Sequence, residues 1–186
     1  MRGYIAMTGI CAGVRKKVDI GDIVIVQSVF DYGSGKIQGG KLHPDYIPVL
    51  VDPELCSMLK DFATNGSQLS KIATNFKQNG GKPKSELKAH VGALASGAAV
   101  VADATIVADI TEHKRSLLGI DMESYGVAKA TLEVGEGKTK FIIVKAASDY
   151  ADSKKGDKYQ DYCAYVSAAF LKCFFEHHGE RCFHVS

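Results

Sequence analysis

The run at residues 21–30, GDIVIVQSVF, places apolar and β-branched residues at consecutive positions, so the strand it predicts has to be covered on both faces. Helices must therefore lie on both sides of a sheet. The rest of the chain supplies them in alternation. GYIAMTG and TKFIIVKAASD read as further strands, the latter the clearest in the chain, and LKAHVGALASG reads as a strand entering a tight turn. SLLGIDM is a short strand, followed by a helix over ESYGVAKATLE. Asp52-Pro53 offers an N-cap and a first-turn proline for a helix over PELCSMLKDFATN. AAVVADATIVADI suggests another helix, and residues 65–86, polar and rich in Gly and Lys, include a surface loop. At the end, Tyr159, Tyr162, Cys163, Val166, Phe170, Cys173, Phe174 and His177 fall at helical spacing behind an Asp157 cap. Strands separated by helices imply one α/β domain over 1–186 with a mostly parallel sheet.

Composition narrows the partners. With 23 Lys+Arg against 21 Asp+Glu, the net charge is +2 and no long like-charged block occurs, which disfavours nucleic acid and anionic membranes. The five cysteines are scattered without CxxC spacing and read as reduced thiols of a cytoplasmic protein. No window approaches the roughly 18 apolar residues of a membrane span, and the N-terminus lacks a signal-peptide core. The tail CFFEHHGERCFHVS reads as surface and packing positions rather than a metal site, because Cys173 and His177 lie on the apolar stripe of the last helix. No cofactor is expected.

In such a sheet, ligands bind beyond the carboxyl ends of the strands. The glycine turn TGICAG, with Thr8 and Gly9, matches no phosphate-binding pattern, but its small residues would let a ligand approach the backbone; a plain strand-to-loop turn is the alternative. Ser148-Asp149 ends a strand with apolar residues behind it, a setting suited to a proton donor, or to a turn cap. In IDMES, Glu123 at a strand end and helix start can accept hydrogen bonds from two adjacent hydroxyls while Met122 packs on a sugar. Capping would need only one acid, for which Asp121 suffices. SVFDYGSGK offers Phe30 and Tyr32 beside a flexible turn, either to stack on a base or as a plain hairpin tip.

The blocks TGICAGVRKKVDIGDIVIVQSVFDYGSGK, GIDMESYGVAKA and FIIVKAASDYADSKKGDKYQDYCAYVSAAF together resemble the nucleoside phosphorylase superfamily, which includes purine nucleoside phosphorylases, uridine phosphorylases and methylthioadenosine/adenosylhomocysteine nucleosidases. DYGSGK and KGDKYQDY are most similar to a branch often fused to signalling or defence modules. The resemblance implies a three-layer αβα sandwich that cleaves a purine nucleoside or 5′-substituted adenosine at its N-glycosidic bond. It assigns the ribose to Met122 and Glu123, the leaving base to Asp149, and a turn beside the base to Ser96 and Gly97. Homodimers or larger rings are implied as well.

Two departures accompany it. Where phosphorylases often carry an arginine and a Ser or Thr directed at phosphate, this chain has Met7 and Ile10, which favours water over inorganic phosphate as co-substrate. Family members also have N-terminal strands before the glycine turn. The resemblance thus reads the chain as N-terminally truncated, a nucleoside-binding or sensing module with impaired turnover being the alternative, and a missing central strand would leave a sheet edge for a partner to cover.

Overall fold

The computed structural model describes residues 3–77, 81–99, 103–134, 138–152 and 157–183. Six strands form the main sheet: β1 (Gly3–Gly13), β2 (Ile23–Asp31), β5 (Val49–Leu50), β6 (Ala89–Ser96), β7 (Leu117–Asp121) and β8 (Thr139–Asp149), in the order β5-β2-β6-β7-β1-β8. The long ladders, β1–β8, β2–β6 and β6–β7, are parallel. Short antiparallel pairings join β1 to β7, β2 to β5 and β2 back to β8, so five strands close into a circuit and the mixed, mostly parallel sheet curls strongly. A separate ribbon of β3 (Gly35–Gln38) and β4 (Lys41–Pro44) follows β2.

Helices α1 (Pro53–Ala63), α2 (Gly66–Thr74), α3 (Ala104–His113), α4 (Ser124–Val134) and α5 (Gln160–Phe183) cover the sheet, α5 after a 3-10 turn at Asp157–Tyr159. Alternation along β6 sorts them into two layers. Leu94 joins a large core with Leu59, Phe62, Ile72, Ala128, Phe170 and Phe174 from α1, α2, α4 and α5. Ala93 and Ala95 point to a smaller one with Val107 and Ile110 of α3. The expected sandwich is therefore present, and β2 is buried at seven of its nine positions, all but the exposed Gln27 and the half-buried Asp31.

Local chemistry starts the helices. Asp52 accepts from Leu55 N at 3.0 Å ahead of Pro53, as the sequence suggests. Two expectations need correction. TGICAG is not a turn: β1 runs through it, with a register shift between Cys11 and Ala12 that transfers the strand end onto β7. Residues 65–86 include the expected loop and also a helix, α2, which Asn65 caps by accepting from Gln68 N. The glycine-rich residues after Tyr32 lead into the β3–β4 ribbon, where Gly35 brings its backbone against His43 so closely that a Cβ would lie 2.2 Å from that carbonyl oxygen. Helix α3 begins at Ala104 behind an Asp103 cap, and residues 100–102 of the suggested helix lie outside the described residues.

Candidate active site

The register brings the strand ends together. Ala12 pairs with Ile120 on one side and with Asp149 on the other, so the ends of β7 and β8 flank the tip of β1, about 10 Å apart at two strand spacings. Ser96, at the end of β6, lies beside Asp121. Over this row opens a cavity of about 210 Å³, whose walls include Ile10, Cys11, Met122, Glu123, Ser148, Asp149 and Gln160. Of the residues singled out from sequence, Met122, Glu123, Ser148 and Asp149 thus share one cavity.

Glu123 and Asp121 differ although one residue separates them. Asp121 is buried: its Oδ1 accepts from Ser124 N at 3.2 Å, and its Oδ2 takes the Ser124 hydroxyl and lies 2.9 Å from Lys145 Nζ. It caps α4 through its side chain. Glu123 contributes its carbonyl to Val127 N, while its side chain is 59% exposed and reaches within 3.7 Å of Lys145 Nζ. Capping is satisfied without the Glu123 carboxylate, which remains available to a ligand.

At the other end, Asp149 Oδ1 accepts from Ala151 N at 2.8 Å and Oδ2 accepts from the Ser148 hydroxyl at 3.1 Å. This fixes a carboxyl group at the cavity wall with both oxygens oriented. The turn holds Ala151, buried, at φ 55°, a left-handed conformation that costs a non-glycine residue about 1–2 kcal/mol. Cys11 also faces this region, but burial first and the Asp121 charge second push its thiol far above the ordinary range, so it is no nucleophile at neutral pH.

The remaining sequence candidates lie behind the cavity. Phe30 is fully buried in the smaller core with its ring centroid 4.6 Å from that of Tyr46, so the loop-borne stacking role proposed for it is not what the fold provides. Tyr32 lies across Gly97, where a Cβ would meet the ring at 2.6 Å, and its hydroxyl donates to Ala99 O at 2.7 Å. Gly97 N donates to Asp121 O, and Ser96 O accepts from Tyr32 N. These three brace the loop after β6. Thr8 and Gly9 lie inside β1, opposite Val144 and Lys145. Lys145 itself was not singled out from sequence; its signal is a lysine in the middle of the apolar strand FIIVKAAS, where only a paired charge is tolerated.

A larger groove of about 730 Å³ runs between α1 and the β2–β6 side of the sheet, lined by Gln27, Leu50, Lys60 and Val91 among others. It contains no carboxylate and lies away from the strand ends that gather the acids. Among the described residues no group of His, Cys, Asp and Glu could hold a metal ion, and no helix is long and apolar enough to cross a membrane.

Comparison with known proteins finds relatives that span most of the chain. The uncharacterised protein y4jS of Sinorhizobium fredii is 32% identical over 170 residues, covering 89% of this chain and 40% of that protein. The ATP nucleosidase Cap17 of Escherichia coli is 26% identical over 185 residues, covering 94% of this chain and 36% of the relative. The chain thus spans about two fifths of the length of these relatives. Among solved structures, an S-adenosylhomocysteine nucleosidase of Streptococcus pyogenes, in complex with 5-methylthiotubericidin, superposes with a TM-score of 0.71 at 22% identity, over 94% of this chain and 67% of that one. It shares the fold. The family model described as the phosphorylase superfamily matches residues 3–173, and the chain belongs to that family.

Proposed function

We propose that this domain cleaves the N-glycosidic bond of a purine nucleoside or 5′-substituted adenosine and releases free base. The observation that carries the reading is the convergence of Glu123 and Asp149 on one cavity from opposite sides of the β1 tip. A ribose at the β7 end places its 2′ and 3′ hydroxyls as donors to the Glu123 carboxylate, with Met122 against its apolar face. The base then lies toward β8, where Asp149 shares a proton with an imidazole-ring nitrogen so that the base departs neutral. As the C1′–N bond lengthens, positive charge grows on the sugar, and the carboxylates near it stabilise that charge.

Water is the acceptor favoured here. Ile10 presents an apolar side chain to the cavity wall, and Met7 rests near Ser124, Sδ to Oγ 3.9 Å, where phosphate binding would call for donors. Phosphorolysis, with inorganic phosphate as co-substrate, is the competing chemistry. Cytoplasmic location and a homo-oligomer belong to the same reading. In support of assembly, β1 leaves Ile5 43% exposed and meets β7 only at Ala12 and Gly13. The test is incubation with purine nucleosides, including adenosine 5′-phosphates and 5′-thioethers, with and without phosphate. Free base without phosphate supports hydrolysis, ribose 1-phosphate supports phosphorolysis, and no release under either condition contradicts the reading.

A second reading is favoured by the length comparison: a nucleoside-sensing module of a larger signalling or defence protein, binding without turnover. It predicts calorimetric binding without product.

A further inference from the structure

Lys145 is buried to 3% exposure of its side chain, in the middle of β8, and its ammonium group meets two carboxylates: Asp121 at 2.9 Å and Glu123 at 3.7 Å. Asp121 is itself buried to 2% and already engaged by Ser124. A buried pair of this kind is costly to desolvate and contributes little to stability beyond what apolar residues of similar volume would give. Its placement suggests another use. Glu123 is the exposed member of the trio, with 59% of its side chain in solvent, and the Lys145 ammonium is the cation that the described residues bring to it.

We propose that Lys145 is a positioning residue that holds the Glu123 carboxylate in the posture that receives the ribose hydroxyls, with Asp121 anchoring the lysine. The proposal rests on the ribose role given to Glu123 above. Lysine donates three hydrogen bonds from one point charge, so it can serve Asp121 and still orient Glu123. Asp121 also cancels the lysine charge. Of the three charges one negative remains, and it faces the sugar, where an unscreened ammonium would oppose the cation developing at C1′. Opposite the lysine on β1 stands Gly9, which presents no side chain to the ammonium.

The experiment is calorimetric binding of adenosine and of 2′,3′-dideoxyadenosine to the whole chain, read as the ratio of the two affinities. Glu123→Ala removes the contact itself and should collapse the ratio. Lys145→Gln is expected to lower it by about tenfold, the value of a charge-assisted hydrogen bond, and Lys145→Arg should restore most of it. A merely structural lysine would weaken both ligands alike and leave the ratio unmoved. If Lys145→Gln does not fold, the Asp121→Asn/Lys145→Met double variant, which leaves no orphaned charge, is read instead and should lower the ratio equally. An unchanged ratio in the folded lysine variant, beside a collapsed one in Glu123→Ala, overturns the positioning role and leaves the ribose reading standing. No preference for adenosine in the unsubstituted chain, with Glu123→Ala without effect, overturns both.

Discussion

Two buried carboxylates at opposite ends of the sheet show how differently the same chemistry is used. Asp22, ahead of β2, accepts from Asp19 N at 3.0 Å and Lys88 N at 3.3 Å, and its Oδ2 lies 2.7 Å from His90 Nε2. Each bond ties one chain segment to another, and the group is closed. Asp121 is equally buried, but its lysine is shared with Glu123, whose carboxylate extends toward a cavity. One cluster is a clasp and the other leaves an acid open to a ligand. Satisfaction of hydrogen bonds, rather than burial, separates them.

The contrast can be broken in several ways. Asp149→Asn should have the largest effect, lowering the cleavage rate about 10²–10⁴-fold by removing the proton donor. Steady-state kinetics with near-normal nucleoside binding would confirm it. Glu123→Ala should weaken binding of ribonucleosides by roughly 10- to 100-fold through two lost charge-assisted bonds, with thermal stability close to that of the unsubstituted chain. Asp22→Ala should do the reverse. Each backbone N–H it orphans costs about 1–3 kcal/mol, visible in urea denaturation, while nucleoside affinity of the folded fraction stays unchanged. A loss of ligand selectivity in Asp22→Ala would erase the distinction between the two ends.

A smaller effect concerns the thiols. Burial raises Cys163 to about 12 and Cys11 further still. At pH 8, well below both, the thiolate fraction is negligible, so alkylation of these two should wait for unfolding and grow only in strongly alkaline solution. Peptide mapping after brief treatment with iodoacetamide measures it. Fast labelling of Cys11 in the folded chain would mean that the cavity wall opens.

Much of the fold was legible because the relevant signals are local. Asp52-Pro53 starts α1 by a side-chain cap and a fixed φ, and the buried strand at Thr139–Asp149 has no competing periodicity. The α5 stripe is read correctly from Tyr162 to Phe174, and at its end His177 is exposed, resting against Phe62 and Gln68. The misreadings came from long-range effects. TGICAG looks like a turn by composition, but pairing with β8 and β7 on its two edges keeps it extended. Phe30 looks like a loop aromatic because glycines follow it, yet it ends a strand that α3 and Tyr46 cover. At the site, Glu123 and Asp149 could be named from their positions at strand ends. Lys145 could not be given a role, because only the β7–β8 arrangement brings its ammonium to Asp121 and Glu123.

The central claim is that a nucleoside bridges Glu123 and Asp149 across the tip of β1. A crystal structure of the Asp149→Asn chain soaked with adenosine tests it most directly. The account predicts density in the cavity at the strand ends, with the 2′ and 3′ hydroxyls on Glu123 and the imidazole edge of the base toward residue 149. Adenosine seated in the larger groove beside α1, with the strand-end cavity empty, would contradict it.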